Sequence, residues 1–273
     1  MNALEVAVAA AQLAGARIRA DFDRPQHVGW KGRADPVTET DRQAEELIVD
    51  TIRQSFPNHR FLCEENHKDD VASEYLWVVD PLDGTQNFSR GIPFVSVSIA
   101  LAHNGEAILG VLHDPLRNET FCAERGKGAF LNGRPVRVQP PASLGETMVS
   151  IGVVSAQRPE NPRLTLPMHA ALYPNVGWTR SFGSTALELA YVAGGRLDLV
   201  YQDRLNPWDI LAGALLVQES GGVATDFGGQ PVTAQSCGII AAARPAFHSA
   251  ALRIAQILDS GESGLLPAAP GCV

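Results

Sequence analysis

The sequence lacks paired cysteines, a surplus of positive charge and any membrane-length apolar run. It has only 4 cysteines in 273 residues, with no Cys-x-x-Cys pair and no histidine at zinc-finger spacing. We therefore expect neither a disulfide framework nor a structural zinc site. Scattered cysteines of this kind favour a reducing, cytoplasmic location.

Positive charge is scarce, since 22 Lys and Arg face 30 Asp and Glu for a net charge of −8. Nucleic-acid binders carry a basic footprint, so we expect no nucleic-acid partner. No apolar run approaches the ~20 residues that span a bilayer. Residues 1–10 place Glu5 inside their apolar stretch without a preceding basic residue, unlike a secretory signal. We expect no membrane partner, and the surplus carboxylates suit hard cations.

The hydrophobic pattern predicts a mixed α and β fold. Helical spacing indicates helices over 3–21, from Thr38 or Thr40 to before Pro57, and over 186–193, 207–220 and 247–258. Apolar or alternating runs predict strands at 76–79, 94–101, 107–112, 119–123, 148–153, 197–201 and 238–242. Residues 22–38 are predicted to form a loop, and 126–133 to form turns. The first half therefore reads as two helices on a largely antiparallel sheet.

Pro140-Pro141 is the best internal boundary. We expect an N-terminal α+β half over 1–139 and a C-terminal α/β half over 140–259, joined in one compact catalytic unit. Residues 260–273 are expected to form a loosely ordered tail.

Four acidic clusters stand out: Asp35 and Asp41 in DPVTETD, Glu64 and Glu65 in CEEN, Asp80 and Asp83 in DPLDGT, and Asp209 in PWDILAG. Each cluster alone is typical of a solvated surface. DPLDGT is more informative, because a strand ending in Asp80 and a turn at Pro81 bring Asp83 back towards Asp80. Two such carboxylates repel each other unless divalent cations neutralise them.

DPLDGT has three other possible interpretations. One is an Asx-type helix cap, with no further role. An EF-hand loop is excluded, because its third and twelfth positions would be Leu82 and Gly91. A phospho-aspartate nucleophile is excluded, because Pro81 occupies its place in the Asp-x-Asp-Gly-Thr pattern.

WVVDPLDGTQNFSRGIPFVSVSIAL resembles the W-x-x-D-P-x-D-G-T-x-N-F signature of the inositol monophosphatase family, and PWDILAGALLVQESGG resembles its second signature. DPVTETD and CEEN match the two remaining acidic motifs in the family's order. The resemblance covers residues 3 to 259. It implies an α+β fold, a layered αβαβα sandwich of the sugar-phosphatase type.

The resemblance implies two to three Mg²⁺ ions per site and sensitivity to lithium. The first ion would be held by Glu64, Asp80 and the Leu82 carbonyl; the second by Asp80, Asp83 and Asp209; a weaker third again by Glu64. The implied reaction is direct in-line hydrolysis of a phosphate monoester by an activated water. No Cys, Ser or His has the sequence context of a nucleophile.

Further roles follow from the same resemblance. Thr85 and Asp41 would orient the water and take its proton, Glu65 is a second acid near it, and Lys31 matches a lysine in a loop that closes over the site. The N–H groups of Gly84 and Thr85 would bind phosphate. The alternatives are an exposed Lys31, a salt-bridging Glu65, a helix-capping Asp41 and, for Asp35, a turn residue. Trp208 is expected to pack and so position Asp209.

Two positions depart from the family's pattern, and the second of them bears on the substrate. Cys63 replaces the Gly that commonly precedes the paired acids, and Gln202 stands where inositol-specific members often carry a Glu that contacts sugar hydroxyls. Gly183 and Ser184, in RSFGSTALEL, are expected to contact the substrate, as are Gln202 and Asp209.

The implied substrate is a small phosphorylated polyol, with inositol 1-phosphate ranked first and histidinol phosphate second. Fructose 1,6-bisphosphate, nucleotide 3′-phosphates and NADP are further candidates, and a metal-dependent binding protein is the non-enzymatic alternative. Family members are usually homodimers.

Overall fold

The computed structural model describes residues 1–24, 28–32, 35–152 and 165–260, without the side chains of residues 31, 32 and 35. Within these ranges the helices are α1 (Ala3–Asp21), α2 (Glu39–Ser55), α3 (Thr85–Ser89), α4 (Thr165–Leu172), α5 (Thr185–Ala193), α6 (Pro207–Glu219) and α7 (Pro245–Ser260), and a 3₁₀ turn covers Leu144–Glu146. Among the described helices, none combines the length and the apolar character that crossing a bilayer needs.

The strands form a hairpin and two larger sheets. The hairpin pairs β1 (Gly29–Gly32) with β2 (Asp35–Val37). The large sheet contains β3 (Arg60–Cys63), β4 (Tyr75–Asp83), β5 (Ser96–His103), β6 (Glu106–Asp114), β7 (Glu119–Glu124), β8 (Gly128–Leu131) and β9 (Arg134–Val136), adjacent in chain order. The smaller sheet contains β10 (Met148–Ile151), β11 (Trp178–Arg180), β12 (Leu199–Asp203), β13 (Val223–Thr225) and β14 (Gly238–Ala242), in the order β11-β10-β12-β14-β13.

The elements stack in five layers, which confirms the predicted αβαβα sandwich. Helices α1 and α2 pack on one face of the large sheet, α5 and α6 lie between the two sheets, and α4 and α7 cover the outer face of the small sheet. Strand β4 is buried on both faces because Trp77 and Val79 face α1 and α2 while Leu76 and Val78 face the central helices.

Helix α6 is apolar on every side because it lies between two sheets. A Cβ at Gly110 of β6 would lie 2.7 Å from the carbonyl oxygen of Ala212, so the helix can approach the sheet closely only over glycine. At the N-terminal end of α6, Ser98 Oγ of β5, opposite Asp80 of β4, donates to the Trp208 carbonyl oxygen at 2.8 Å.

Three sequence expectations need correction. The loop predicted over 22–38 contains the β1–β2 hairpin, and the segment 126–133, which contains the predicted turns, also contains β8. The tail was predicted to begin one residue too early, since Ser260 is the last residue of α7. Residues 261–273 lie outside the described residues. The two sheets divide between residues 136 and 148, but the assignment of two halves stays a prediction.

Candidate functional site

The end of β4 places Asp80 and Asp83 beside each other. Pairing of β4 with β5 is regular as far as Asp80, opposite Ser98, and resumes with an irregularity at Asp83, opposite Ser96. The Asp80 Oδ1 atom accepts a hydrogen bond from Leu82 N at 2.9 Å, which fixes the turn around Pro81. The strand therefore ends in two carboxylates, as the sequence predicts.

Gly84 turns the chain from β4 into α3. Its φ of +94° lies in the left-handed region, and a Cβ there would lie 3.0 Å from the carbonyl oxygen of Phe94. Both the backbone angle and the space therefore require glycine. The Gly84 carbonyl accepts from Phe88 N at 3.0 Å and starts the short helix with Thr85 at its first position.

Asp80 is the centre of a buried acidic cluster. Its side chain lies within electrostatic range of Glu64, Asp83 and Asp209, and close enough to Glu64 to share a hydrogen bond. Burial, followed by the repulsion of these three neighbours, raises the pKa of Asp80 well above its ordinary value. Carboxylates from β4, α6 and the loop after β3 therefore lie near Asp80.

Asp83 links this cluster to the N-terminus of α5. Its Oδ2 atom accepts from Ser184 Oγ at 2.7 Å and from Ala186 N at 2.7 Å. Burial, only partly offset by these hydrogen bonds, raises the pKa of Asp83 to about 6. Ser184, predicted as a substrate contact, is thus placed as a donor to Asp83; its role towards substrate stays a prediction. Gly183, exposed and with a φ of +81°, precedes it.

Asp209 reaches the cluster from the first turn of α6. Asn206 caps the helix, Pro207 is its first residue, and Asn206 N donates to Asp209 Oδ2 at 2.7 Å. An acidic side chain is favourable at this end of a helix. Trp208 packs against the central core, as expected, and Lys68 Nζ lies 4.0 Å from the centre of its ring.

Glu64 and Glu65 lie on a loop whose backbone is fixed by a carboxylate that the sequence analysis missed. Glu45 of α2 is fully buried, and its Oε2 and Oε1 atoms accept from Glu65 N and Asn66 N, both at 2.8 Å. Lys68 Nζ donates to the carbonyl oxygens of Cys63 and Glu64. A sequence signal existed, because Glu45 interrupts the apolar face that Ala44 and Ile48 form on α2.

Thr85 and Asp41 form a buried hydroxyl–carboxylate pair. Thr85 Oγ1 lies 2.9 Å from Asp41 Oδ1 and 3.1 Å from the Leu82 carbonyl oxygen, two acceptors for one hydroxyl proton. Asp41 Oδ2 accepts from Thr38 N at 2.9 Å, so the residue also caps α2. Burial, against the hydrogen bonds from Thr38 and Thr85, raises the pKa of Asp41 to about 6. The pair is therefore suited to taking up a proton near neutral pH.

Gln202 is held by a second carboxylate that sequence reasoning missed. Its Nε2 atom donates to Glu188 Oε2 at 2.6 Å, and Phe182 N donates to Glu188 Oε1 at 3.1 Å. Glu188 is fully buried, which raises its pKa to about 7. Gln202 Oε1 faces the backbone of Gly152, where a Cβ would lie 2.8 Å away. The amide is thus oriented, and its contact with substrate stays a prediction.

Two of the predicted residues have side chains outside the described part of the chain. Lys31 lies in β1 and Asp35 in β2, and only their backbones are described. Their predicted roles in loop closure and in a turn therefore stay predictions.

The chemistry of the converging side chains fits magnesium. Glu64, Asp80, Asp83 and Asp209 offer hard carboxylate oxygens, and burial, with repulsion between neighbouring carboxylates, raises the pKa of Asp80 and Asp83. Mg²⁺ prefers oxygen ligands of this kind. That these side chains, with the Leu82 carbonyl, are the ligands stays a prediction.

The raised pKa values of Asp80 and Asp83 predict how the stability of the metal-free protein responds to pH. The pKa of Asp83 is raised from 3.8 to about 6 and that of Asp80 is raised as well, so the folded state binds protons more tightly than the unfolded state. The stability present below about pH 4 is therefore lost as the pH rises through 6, by roughly 3 kcal/mol for Asp83 alone. Thermal unfolding of EDTA-treated protein between pH 4 and 8 measures it.

The matched control for this prediction is Asp80→Asn, which removes one charge from the cluster. We expect the Tm of this variant to fall less as the pH rises. In the wild-type protein, addition of Mg²⁺ at pH 8 should restore the Tm that is lost without the metal. Mg²⁺ at 100 times its Kd contributes about 2.7 kcal/mol. If the Tm of the two proteins falls equally with pH, repulsion between these carboxylates is not the cause of the loss.

Comparisons with known proteins agree with this geometry. The model of the inositol monophosphatase family matches residues 2–260. Nus factor SuhB of Escherichia coli K12 is 40% identical over 229 residues, 83% of this chain and 85% of that protein. The fructose-1,6-bisphosphatase/inositol-1-monophosphatase of Thermotoga maritima is 40% identical over 237 residues, 86% of this chain and 89% of that protein.

The fold comparison gives the same result. The solved structure of an IMPase from Thermotoga maritima has a TM-score of 0.86 and 37% identity, covering 96% of this chain and 99% of that one. Since the match extends over the whole sandwich and over every acidic motif in it, the chain belongs to the inositol monophosphatase family and is a phosphatase.

Proposed function

We propose that the protein is a Mg²⁺-dependent phosphate monoester hydrolase that acts on a small phosphorylated polyol, with inositol 1-phosphate as the first candidate. The observation that carries the proposal is the convergence of Glu64, Asp83 and Asp209 on the buried Asp80. Asp80, Asp83 and Asp209 each accept a backbone N–H. Burial and the repulsion of its acidic neighbours nevertheless raise the pKa of Asp80. Such an arrangement is typical of a site that is completed by a cation.

In this proposal Glu64, Asp80 and the Leu82 carbonyl hold a first ion, Asp80, Asp83 and Asp209 hold a second, and Glu64 also serves a weaker third. Bound Mg²⁺ supplies charge stabilisation for the oxygens of the phosphoryl group and a lowered pKa for water. Because the chain belongs to a family of phosphatases, we assign the charge stabilisation and the activation of water to the ions held by these ligands.

The chain's own residues then handle the proton of the attacking water. Thr85 Oγ1 donates its hydrogen to Asp41 Oδ1, so its lone pairs are free to accept from water. As the water oxygen attacks phosphorus, its proton passes to Thr85 while the hydroxyl proton of Thr85 passes to the ionised Asp41. The bond from phosphorus to the polyol oxygen breaks without a covalent enzyme intermediate, and the departing oxygen takes up a proton from solvent. We assign Glu65 as a second acid near this water and Lys31 to the closing loop.

Phosphate binding and polyol binding are assigned to the two sides of the site. We place the phosphate at the N–H groups of Gly84 and Thr85, and the polyol at Gly183, Ser184, Gln202 and Asp209. The Glu188 contact fixes the orientation of the Gln202 amide. Nε2 points towards the Glu188 carboxylate, and Oε1 points away from it.

The Glu188–Gln202 pair gives a test of substrate recognition. Gln202→Glu alone brings two buried carboxylates together, so we expect a lower Tm. The double variant Glu188→Gln/Gln202→Glu restores one acid and one amide and moves the charge to position 202. We expect it to recover Tm and to raise kcat/KM for inositol 1-phosphate, relative to p-nitrophenyl phosphate, by roughly tenfold, the value of one hydrogen bond to a charged group. An unchanged ratio would show that Gln202 does not face the polyol.

Relatives at similar identity favour a second set of candidates. The Thermotoga maritima relative is named for two substrates, and the Escherichia coli relative is named a Nus factor. Fructose 1,6-bisphosphate is therefore an alternative substrate, and a binding role is the alternative to catalysis. Histidinol phosphate remains a candidate from the sequence analysis. Phosphate release from a panel of these esters, at fixed Mg²⁺, decides among them, and no release from any ester would favour the binding role.

Three further properties belong to the proposal: a homodimeric assembly, a cytoplasmic location and inhibition by lithium. Sedimentation of the purified full chain, cell fractionation and a lithium titration of phosphate release test them in turn.

A further inference from the structure

Three potential metal ligands of different chemistry meet beside the acidic cluster. Glu45 lies on α2, Cys63 ends β3, and His67 follows four residues later on the same loop. A carboxylate oxygen, the Sγ atom and a ring nitrogen of these three all lie within 4.8 Å of one another. None of them belongs to the ligand set assigned to magnesium.

The Cys63 thiol is the unexplained member of this group. Cys63 has 0% exposure, and its thiol is free of any disulfide. A small apolar residue would fill this place without leaving a buried polar atom next to a carboxylate and an imidazole.

Glu45 and His67 are already arranged around a common point. His67 Nδ1 lies 3.0 Å from Glu45 Oε1, and the His67 side chain is 26% exposed, which leaves a path from solvent. Each carboxylate oxygen has two acceptor positions. A cation that replaces the contact with His67 therefore leaves the hydrogen bonds from Glu65 N and Asn66 N in place.

We propose that Glu45, Cys63 and His67 form a binding site for one borderline-soft divalent cation, of which Zn²⁺ is the representative. Thiolate and imidazole ligands select Zn²⁺ over Mg²⁺, and Zn²⁺ takes four ligands in a tetrahedron. On binding, the Cys63 thiol releases its proton to solvent, His67 coordinates through the lone pair of Nδ1, and water completes the fourth position. The ion would tie α2 to the loop that carries Glu64.

Cobalt titration tests the site without reference to turnover. The EDTA-treated full chain is titrated with Co²⁺ in excess Mg²⁺, which keeps oxygen-only sites occupied. We expect a sulfur-to-cobalt charge-transfer band that saturates at one equivalent and disappears when Zn²⁺ is added. The band should be lost in Cys63→Ser and Cys63→Gly, and His67→Ala should weaken Co²⁺ binding by about tenfold or more.

The controls separate this site from other thiols and from misfolding. Cys122→Ser, Cys237→Ser and Cys272→Ser should keep the band. Circular dichroism and Mg²⁺-dependent phosphate release should be unchanged in Cys63→Gly, since Cys63 has no place in the proposed reaction. Absence of the band in the wild-type protein, or its persistence in Cys63→Gly, would overturn the proposal, and neither result depends on whether the protein hydrolyses inositol 1-phosphate.

Discussion

Replacing Asp80 with asparagine is expected to lower kcat for Mg²⁺-dependent phosphate release by roughly 10³-fold and, at the same time, to raise the Tm of the metal-free protein. The loss of rate follows because Asp80 is the carboxylate that Glu64, Asp83 and Asp209 all face. Bound cations stabilise the charge of the transition state by several kcal/mol. The expected 10³-fold loss of rate corresponds to about 4 kcal/mol of this stabilisation. The gain in Tm follows because one repelling charge is removed from a buried cluster.

Asp114→Asn is the matched control for this variant. Asp114 is fully buried too, but it accepts from Leu116 N and Arg117 N, both at 2.9 Å, and forms an ion pair with Arg117. Its replacement should lower Tm and leave kcat unchanged, the opposite pattern in both measurements. If Asp80→Asn instead loses stability and keeps its rate, Asp80 is a structural carboxylate like Asp114.

Replacing Asp41 with asparagine is expected to reduce kcat by about 10²–10⁴-fold, the usual contribution of a general base. The Mg²⁺ concentration for half-maximal rate should change little, because Asp41 is assigned to Thr85 and not to the ions. The asparagine keeps an oxygen for Thr38 N, so α2 should remain capped.

Thr85 provides the paired test of the same proton path. Thr85→Ser retains the hydroxyl that contacts Asp41 and should keep most of the rate, whereas Thr85→Val removes it and should approach the loss seen for Asp41→Asn. Initial rates across a Mg²⁺ series measure both effects. An active Thr85→Val variant would contradict the assigned relay.

The elements with strong local signals were predictable from the sequence. Helices α1, α2 and α6 have clear apolar faces or apolar runs with capping residues, and the Asp80–Asp83 turn follows from Pro81 and Gly84. The layered fold came from the family resemblance, since the local pattern gave only mixed helices and strands.

What the sequence did not reveal depends on contacts between distant residues. Strand β8 has four residues between two turns, too short for a period-2 pattern to emerge. Glu45 lies 20 residues from the Glu65 N–H that it accepts from, and Glu188 lies 14 residues from Gln202. Neither partner is visible in spacing alone, because the tertiary fold brings the two groups together.

The most direct measurement is phosphate release from inositol 1-phosphate by the EDTA-treated full chain as Mg²⁺ is added back. The account predicts no release without Mg²⁺, a rate that saturates with Mg²⁺, and no comparable rate for Asp80→Asn at any Mg²⁺ concentration. Equal release in the presence of EDTA, or a wild-type rate for Asp80→Asn, would contradict it.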